Sequence, residues 1–130
     1  MIAESELEEL IAAARAVSER AHAPYSRFRV GCALRTARGA TFVGCNVENA
    51  TFGATVCAER SAVSAAVAAG DTEIELCVVF THTEEPVAPC GVCRQVLAEF
   101  APEARVVSAC LGEARMDTRV DVLLPALFRL

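Results

Sequence analysis

Three cysteines and one glutamate have the residue types and the spacing of a catalytic metal site. Cys57 and Glu59 lie two positions apart in VCAER, and Cys90 and Cys93 form a C-x-x-C pair in PCGVC. Two sulfurs at that spacing can reach one ion, and Cys57 would supply a third. Zinc prefers thiolate and imidazole ligands, and its catalytic sites keep three protein ligands and an open position for water. The pattern therefore predicts a zinc site with an acid beside it.

Glu59 distinguishes a catalytic site from a structural one. Zinc lowers the pKa of a bound water from about 15.7 toward 7, and a neighbouring carboxylate can pass the released proton to a substrate. On a helix that begins near Cys57, Glu59 lies in the first turn and can point toward the ion without binding it. Zinc deaminases combine cysteine or histidine ligands, a glutamate that is not a ligand, and a P-C-x-x-C segment. CAE followed by PCGVC favours that chemistry.

Other uses of these cysteines are a redox dithiol and a structural zinc site. Thioredoxin-like proteins place C-x-x-C directly after a strand and have no need of CAE upstream. A structural site would take a fourth sulfur from Cys45 or Cys110. Neither alternative explains Glu59. The cysteines outside the motifs lie in apolar, strand-like segments and are predicted to be small buried hydrophobes: Cys32, Cys45, Cys77 and Cys110.

Each cysteine motif is predicted to start a helix. The alanine-rich segment 57–69 and the segment 90–100 both have helical patterns, and each is followed by a stop residue, Gly70 or Pro102. Helix N-termini favour anionic sulfur because their N–H groups are unpaired. We expect Arg60 and Arg94, which closely follow the two motifs, to offset the charge of the thiolates.

The remaining elements would position these two helices on a sheet. SELE predicts a first helix that begins at Ser5, with Glu8 completing a capping box. Alternating or continuous apolar segments predict strands at 28–34, 41–47, 74–80, 105–109 and 115–118. The first two would form a hairpin, and DVLLPALF predicts a short terminal helix or turn. This order indicates one domain in which a sheet is flanked by helices.

Composition and charge argue against several classes of protein. The chain is 54% hydrophobic, yet it lacks the run of about 18 apolar residues that a membrane helix needs, so the apolar surplus is expected to contact other subunits. The net charge is −5 and the basic residues are scattered, which argues against nucleic-acid binding. Seven cysteines, without the pattern of a signal peptide, predict a cytoplasmic protein with no disulfide framework.

The chain resembles the small, single-domain, zinc-dependent cytidine deaminases almost from end to end. The segments that carry the resemblance are APYSRFRVGCAL, GCNVENATFG, CAERSAV, PCGVCRQVL and LLPALF. The resemblance implies one catalytic domain over residues 1–130, an α/β three-layer sandwich with a five-stranded mixed sheet flanked by helices. Cysteine rather than histidine at position 57 resembles the branch that forms homotetramers with shared active sites.

The resemblance also implies roles for the residues of the motifs. Cys57, Cys90 and Cys93 match the ligands of one zinc ion per subunit, and Glu59 matches the proton shuttle. Arg60 matches a donor to the ligand sulfurs, in agreement with the charge argument.

Further residues match positions that bind the substrate. Asn46 and Glu48, in NVEN, match the pair that holds the ribose hydroxyls, and their separation places both on one face of an extended segment. Phe28 matches an aromatic residue of the pyrimidine pocket, and Ala58 a backbone N–H donor to the pyrimidine carbonyl. Phe128 matches an aromatic residue that covers the active site of a neighbouring subunit.

These roles predict hydrolytic deamination of cytidine and 2′-deoxycytidine to uridine and 2′-deoxyuridine plus ammonia, a reaction of pyrimidine salvage. Phe52 lies where the family often has tyrosine, so a hydroxyl contact toward the substrate is absent there. Alternatives are a related deaminase of a nucleoside-like antibiotic, which has no reason to keep NVEN, and a polynucleotide cytosine deaminase, which needs a basic groove. A non-enzymatic zinc-binding module is a further alternative.

Overall fold

The computed structural model describes residues 2–130 of the chain. The helices are α1 (Glu4–Ser18), α2 (Ala58–Ala68), α3 (Gly91–Phe100) and α4 (Val120–Leu123), with one turn of 3-10 helix at Phe52–Ala54. The strands are β1 (Val30–Thr36), β2 (Thr41–Cys45), β3 (Ile74–Thr81), β4 (Arg105–Ala109) and β5 (Met116–Arg119). Within residues 2–130, no helix combines the length and apolar character that crossing a membrane requires.

The five strands form one mixed sheet in the order β2-β1-β3-β4-β5. Strands β3 and β4 are parallel, and every other neighbouring pair is antiparallel. The central strand β3 is buried along nearly its whole length, as its continuous apolar sequence predicts for a strand covered on both faces.

Helices cover both faces of this sheet. On one face, Leu7 and Leu10 of α1 belong to the apolar cluster that includes Val78 of β3. On the other face, α2, α3 and α4 contribute to a second cluster, for example through Ala62 and Leu97. The predicted three-layer α/β sandwich with a five-stranded mixed sheet is confirmed.

The starts of the elements differ from the sequence prediction in informative ways. Cys57 and Cys90 are extended N-cap residues, so α2 and α3 begin one residue later than predicted. The predicted capping box is wrong, because Ala3 is the N-cap of α1 and no side chain caps it. Strand β1 begins at Val30 rather than at residue 28. Arg27 has a left-handed φ of 59°, which interrupts the extended backbone just before that position.

Two glycines of the sheet allow helices to approach it closely. A Cβ atom on Gly31 would overlap the backbone of Ala14 in α1. A Cβ atom on Gly44 would overlap the backbone of Ala62 and Ala58 in α2. The absence of a side chain at Gly44 therefore allows the start of α2, with its CAE motif, to lie close to the sheet.

Candidate active site

Three cysteine sulfurs converge where α2 and α3 begin. Cys57 and Cys90 are the N-caps of these helices, and Cys93 lies in the first turn of α3. The three Sγ atoms lie within 4.8 Å of one another, with Cys93 buried, Cys57 partly buried and Cys90 exposed. Three sulfur donors that meet at one point, with solvent on one side, fit a zinc ion that keeps an open coordination position.

Arg60 lies against this cluster of sulfurs. Its Nη2 atom donates to Cys57 Sγ at 3.6 Å and to the carbonyl oxygen of Thr55 at 3.0 Å. Hydrogen bonding by the Cys93 thiol, helped by Arg60, lowers the pKa of Cys57 to about 5. The same contact and burial raise the pKa of Cys93. Cys57 therefore holds negative charge more readily than Cys93, and metal binding takes place through thiolate.

Arg94 differs from Arg60 in its hydrogen-bond partners. Its Nε atom donates to the carbonyl oxygen of Pro89 at 2.7 Å, and its Nη1 atom to that of Leu123 at 2.9 Å. Both hydrogen bonds go to backbone carbonyl oxygens, and the expectation that Arg94 offsets the thiolate charge stays a prediction. The Arg94 guanidinium connects the start of α3 to the end of α4, a contact that sequence spacing does not reveal.

Glu59 lies in the first turn of α2, beside the sulfurs. The converging donor atoms are the three sulfurs and do not include its carboxylate. The residue is only 5% exposed, and burial raises the pKa of its carboxyl group, with the charge of Cys57 acting in the same direction. A buried acid with a raised pKa, next to a candidate metal site, is a candidate for accepting and donating protons in a reaction.

Asn46 connects the start of β1 to the segment that follows β2. Its Oδ1 atom accepts from the N–H of Val30 at 2.8 Å, and its Nδ2 atom donates to the carbonyl oxygen of Phe28 at 2.7 Å. An asparagine side chain has two N–H donors and two acceptor lone pairs. One of each is therefore still available to a ligand.

Glu48 is held by the loop that precedes β1. Its Oε1 atom accepts from the N–H groups of Tyr25 and Ser26 at 3.0 and 3.1 Å, and its Oε2 atom accepts from the hydroxyl of Ser26. The hydroxyl of Ser26, first among these donors, lowers the pKa of Glu48. Ser26 is not among the site residues that the sequence predicts. A serine two residues before Phe28 is typical of a turn closed by a side-chain hydroxyl, and this was the available signal.

A short backbone pairing joins these polar residues to the sulfur cluster. Val47 and Val56 exchange two N–H to carbonyl hydrogen bonds, each of 2.9 Å. Val47 lies between Asn46 and Glu48, and Val56 directly precedes Cys57. The candidate ribose ligands and the candidate metal ligands therefore belong to one continuous site.

The other predicted site residues differ in their surroundings. Ala58 is fully buried and is the first residue of α2, where a backbone N–H has no partner within the helix. Phe28 and Phe128 are 41% and 69% exposed. Phe52 is also exposed, and its ring contacts that of Tyr25 edge to face, with centroids 5.8 Å apart. The rings of Phe28, Phe52 and Phe128 are thus open to solvent rather than enclosed.

A large cleft lies away from this site. It has a volume of about 1020 Å³, and its walls include Arg35, Glu73, Arg105 and Asp117. None of the three converging cysteines lines it. The chemistry of the side chains, rather than the size of a cavity, identifies the candidate active site.

Comparison with known proteins gives consistent matches. The family model described as "Cytidine and deoxycytidylate deaminase zinc-binding region" matches residues 4–110. A cytidine deaminase of Sporosarcina psychrophila is 42% identical over 95% of this chain and 91% of its own. The crystal structure of a cytidine deaminase from Burkholderia pseudomallei has a TM-score of 0.90 and 46% identity, covering 93% of this chain and 98% of that one. A blasticidin-S deaminase of Bacillus cereus is more distant, with 29% identity over 77% of this chain and 76% of its own.

Proposed function

The chain belongs to the family of cytidine and deoxycytidylate deaminases, and we propose that it hydrolyses cytidine and 2′-deoxycytidine to uridine and 2′-deoxyuridine, releasing ammonia. It is a hydrolytic deaminase. The observation that carries the proposal is the convergence of Cys57, Cys90 and Cys93 beside the buried acid Glu59. We infer a single catalytic domain that spans the chain.

Cys57, Cys90 and Cys93 would hold one zinc ion per subunit. Their sulfurs are the donors that zinc prefers, and the family model that matches the chain is that of a zinc-binding region. When bound, zinc lowers the pKa of a water ligand toward neutrality. Arg60 supports the cluster by donating to Cys57.

Glu59 would move the protons of the reaction. It takes a proton from the water that attacks C4 of the cytosine ring and delivers it to ring N3. It then takes the second proton of that water and passes it to the exocyclic amine, so that the C4–N bond breaks and ammonia leaves. The burial that raises the pKa of Glu59 supports this role, because a proton shuttle needs both protonation states to be accessible.

The other proposed contacts orient the nucleoside. The N–H of Ala58, unpaired at the start of α2, would donate to the pyrimidine carbonyl, and Phe28 would lie against the ring. The unused donor and acceptor positions of Asn46, and the unused acceptor position of Glu48, would bind the ribose hydroxyls. Phe52 offers no hydroxyl.

We also propose a homotetramer with shared active sites, acting in the cytoplasm in pyrimidine salvage and binding neither nucleic acid nor membrane. The exposed ring of Phe128 would close the site of a neighbouring subunit, and the negative net charge disfavours nucleic acid. Sedimentation should give a species of about four chains. A fully active monomer would contradict both the assembly and the role of Phe128.

The decrease in ultraviolet absorbance when the zinc-loaded protein meets a substrate tests the proposed reaction. We expect conversion of cytidine and 2′-deoxycytidine but not of free cytosine, because the bare base cannot reach Asn46 and Glu48. Conversion of blasticidin S alone would favour the antibiotic deaminase suggested by the more distant relative. A zinc-loaded protein that converts none of these compounds would indicate a non-enzymatic zinc module.

A further inference from the structure

Ser26 lies at the centre of the contacts that hold Glu48. Its hydroxyl donates to Glu48 Oε2 and accepts from the backbone N–H of Phe28 at 3.0 Å. Its own N–H donates to Glu48 Oε1 at 3.1 Å. Arg27, between Ser26 and Phe28, has a φ of 59°, which folds the chain back so that one hydroxyl reaches both partners.

The contacts of Glu48 leave one acceptor position unused. A carboxylate has about four lone-pair positions, two on each oxygen. Two N–H groups occupy Oε1, from Tyr25 and Ser26, and the hydroxyl of Ser26 occupies half of Oε2. The remaining position is on Oε2, the oxygen that the Ser26 hydroxyl contacts. The terminal torsion of a glutamate has a broad preference; the two N–H groups hold Oε1, and the Ser26 hydroxyl adds the contact that holds Oε2.

We propose that Ser26 is a positioning residue for sugar recognition, whose hydroxyl directs the free acceptor position of Glu48 toward the ribose hydroxyls. This inference rests on the proposed function, because it needs a nucleoside in the site. The same hydroxyl also holds the backbone at Phe28. It therefore links the position of the residue that would contact the sugar to that of the ring that would contact the base.

A serine that only closed a turn would have a different effect on catalysis. Loss of such a turn would weaken the binding of every substrate to a similar degree, since the loop also carries Phe28. Loss of a residue that directs Glu48 would instead reduce the advantage of a substrate with ribose hydroxyls over one without them. The ratio of kcat/KM for the two substrates therefore distinguishes a positioning role from a role in the turn alone.

The Ser26→Thr and Ser26→Val variants form the matched pair for this test. Their side chains have nearly the same shape and differ in the hydroxyl, and position 26 is exposed, so the protein accommodates both. The measurement is kcat/KM for cytidine and for 2′,3′-dideoxycytidine, in single-turnover conditions where needed. The ratio of these two kcat/KM values is the preference for cytidine. Loss of a hydrogen bond to a charged group should reduce this preference about tenfold. We expect Ser26→Val to reduce the preference for cytidine over 2′,3′-dideoxycytidine about tenfold, mainly by raising KM for cytidine. Ser26→Thr should retain most of this preference.

Two further variants complete the design. In a Glu48→Ala background, the change Ser26→Val should alter the cytidine preference by less than about twofold, because Ser26 acts through Glu48. The Ser5→Val variant, exposed on α1, is the control and should behave like the wild type.

Equal losses on the two substrates, or an undiminished effect of Ser26→Val in the Glu48→Ala background, would overturn the positioning role alone. A zinc-loaded wild type that does not convert cytidine would overturn the proposed function and this inference with it.

Discussion

The two halves of the candidate site that we propose to face the base and the sugar are built in opposite ways. The base-facing half consists of Ala58, Glu59 and the three converging cysteines, and most of it is buried under the starts of α2 and α3. The sugar-facing half consists of Glu48 and the paired rings of Tyr25 and Phe52, which are exposed. One half is part of the protein core, and the other is attached to the core through loops.

This difference separates catalysis from recognition. Side chains packed in a core adopt one arrangement, so Glu59 and the sulfurs are positioned by the fold of a single chain. Exposed side chains depend on local hydrogen bonds, such as those to Glu48, and on whatever covers them. We therefore expect changes in the base-facing half to remove turnover and changes in the sugar-facing half to alter substrate preference.

The largest effect is expected from Cys90→Ala. Cys90 is exposed, so the loss of its side chain should cost little packing but leave only two sulfurs for the ion. We expect the bound zinc and the deaminase activity to fall to background, as they should in wild type treated with a strong chelator. Metal content per chain and ultraviolet activity are the measurements.

Cys45→Ala is the control for this prediction, because Cys45 lies outside the sulfur cluster, and it should keep both zinc and activity. A Cys90→Ala protein that remained fully loaded with zinc would remove Cys90 from the set of ligands.

The next largest effect is expected from Glu59→Gln. Glutamine keeps the size of the side chain but cannot carry a proton between the water and the base. General acid–base catalysis contributes about 10²- to 10⁴-fold, and kcat should fall by that range while zinc stays bound. Glu99→Gln, an exposed change on α3, is the matched control. Near-normal turnover by Glu59→Gln would end the assignment of Glu59 as the shuttle.

A smaller effect on turnover is expected from Gly44→Ala, which tests whether the fold positions the base-facing half. The added methyl group overlaps the backbone of α2 at Ala58 and Ala62, and overpacking of this kind costs about 1–3 kcal/mol. Displacement of Glu59 should also lower kcat about 10- to 100-fold. Urea unfolding and kcat, measured where the protein is folded, are the two readouts.

Gly31→Ala gives the matched comparison on the other face of the sheet. Its methyl group overlaps the backbone of α1 at Ala14, so a similar loss of stability is expected with kcat nearly unchanged. Equal losses of kcat in the two variants would mean that the sheet transmits strain to the site from either face.

The smallest effect is expected from Phe52→Tyr in the sugar-facing half. The exposed ring gains a hydroxyl that can contact the 5′ side of the nucleoside. A neutral hydrogen bond is worth about 0.5–1.5 kcal/mol, so the preference for cytidine over 5′-deoxycytidine should rise about two- to tenfold. Phe100→Tyr, on a ring that lines the large cleft, should leave this preference unchanged. A change in kcat alone would contradict the division of the site into two halves.

Much of the fold could be predicted because its strands and helices have clear apolar patterns. The predicted bounds of 105–109 agree with β4, and those of 74–80 differ from β3 by one residue. Element starts were less predictable where a single backbone angle decides them, as at Arg27. The capping box failed because Ser5 has the right sequence context but α1 already begins at Glu4.

The sequence by itself determined which residues have the means to do the chemistry. The order CAE then PCGVC, the glutamate beside the first cysteine, and the pair in NVEN are all local patterns. Side-chain type and short spacing decide what a segment can bind, and these properties do not depend on the rest of the fold.

Only the tertiary structure decided which of these residues meet and what surrounds them. It brings Cys57 to Cys90 and Cys93, buries Glu59, joins Arg94 to the end of α4 and binds Glu48 to Ser26. Each of these contacts joins segments far apart in the chain, or depends on how a helix packs on the sheet. Local patterns carry no information about such contacts, because strand register and helix packing are determined by the core as a whole.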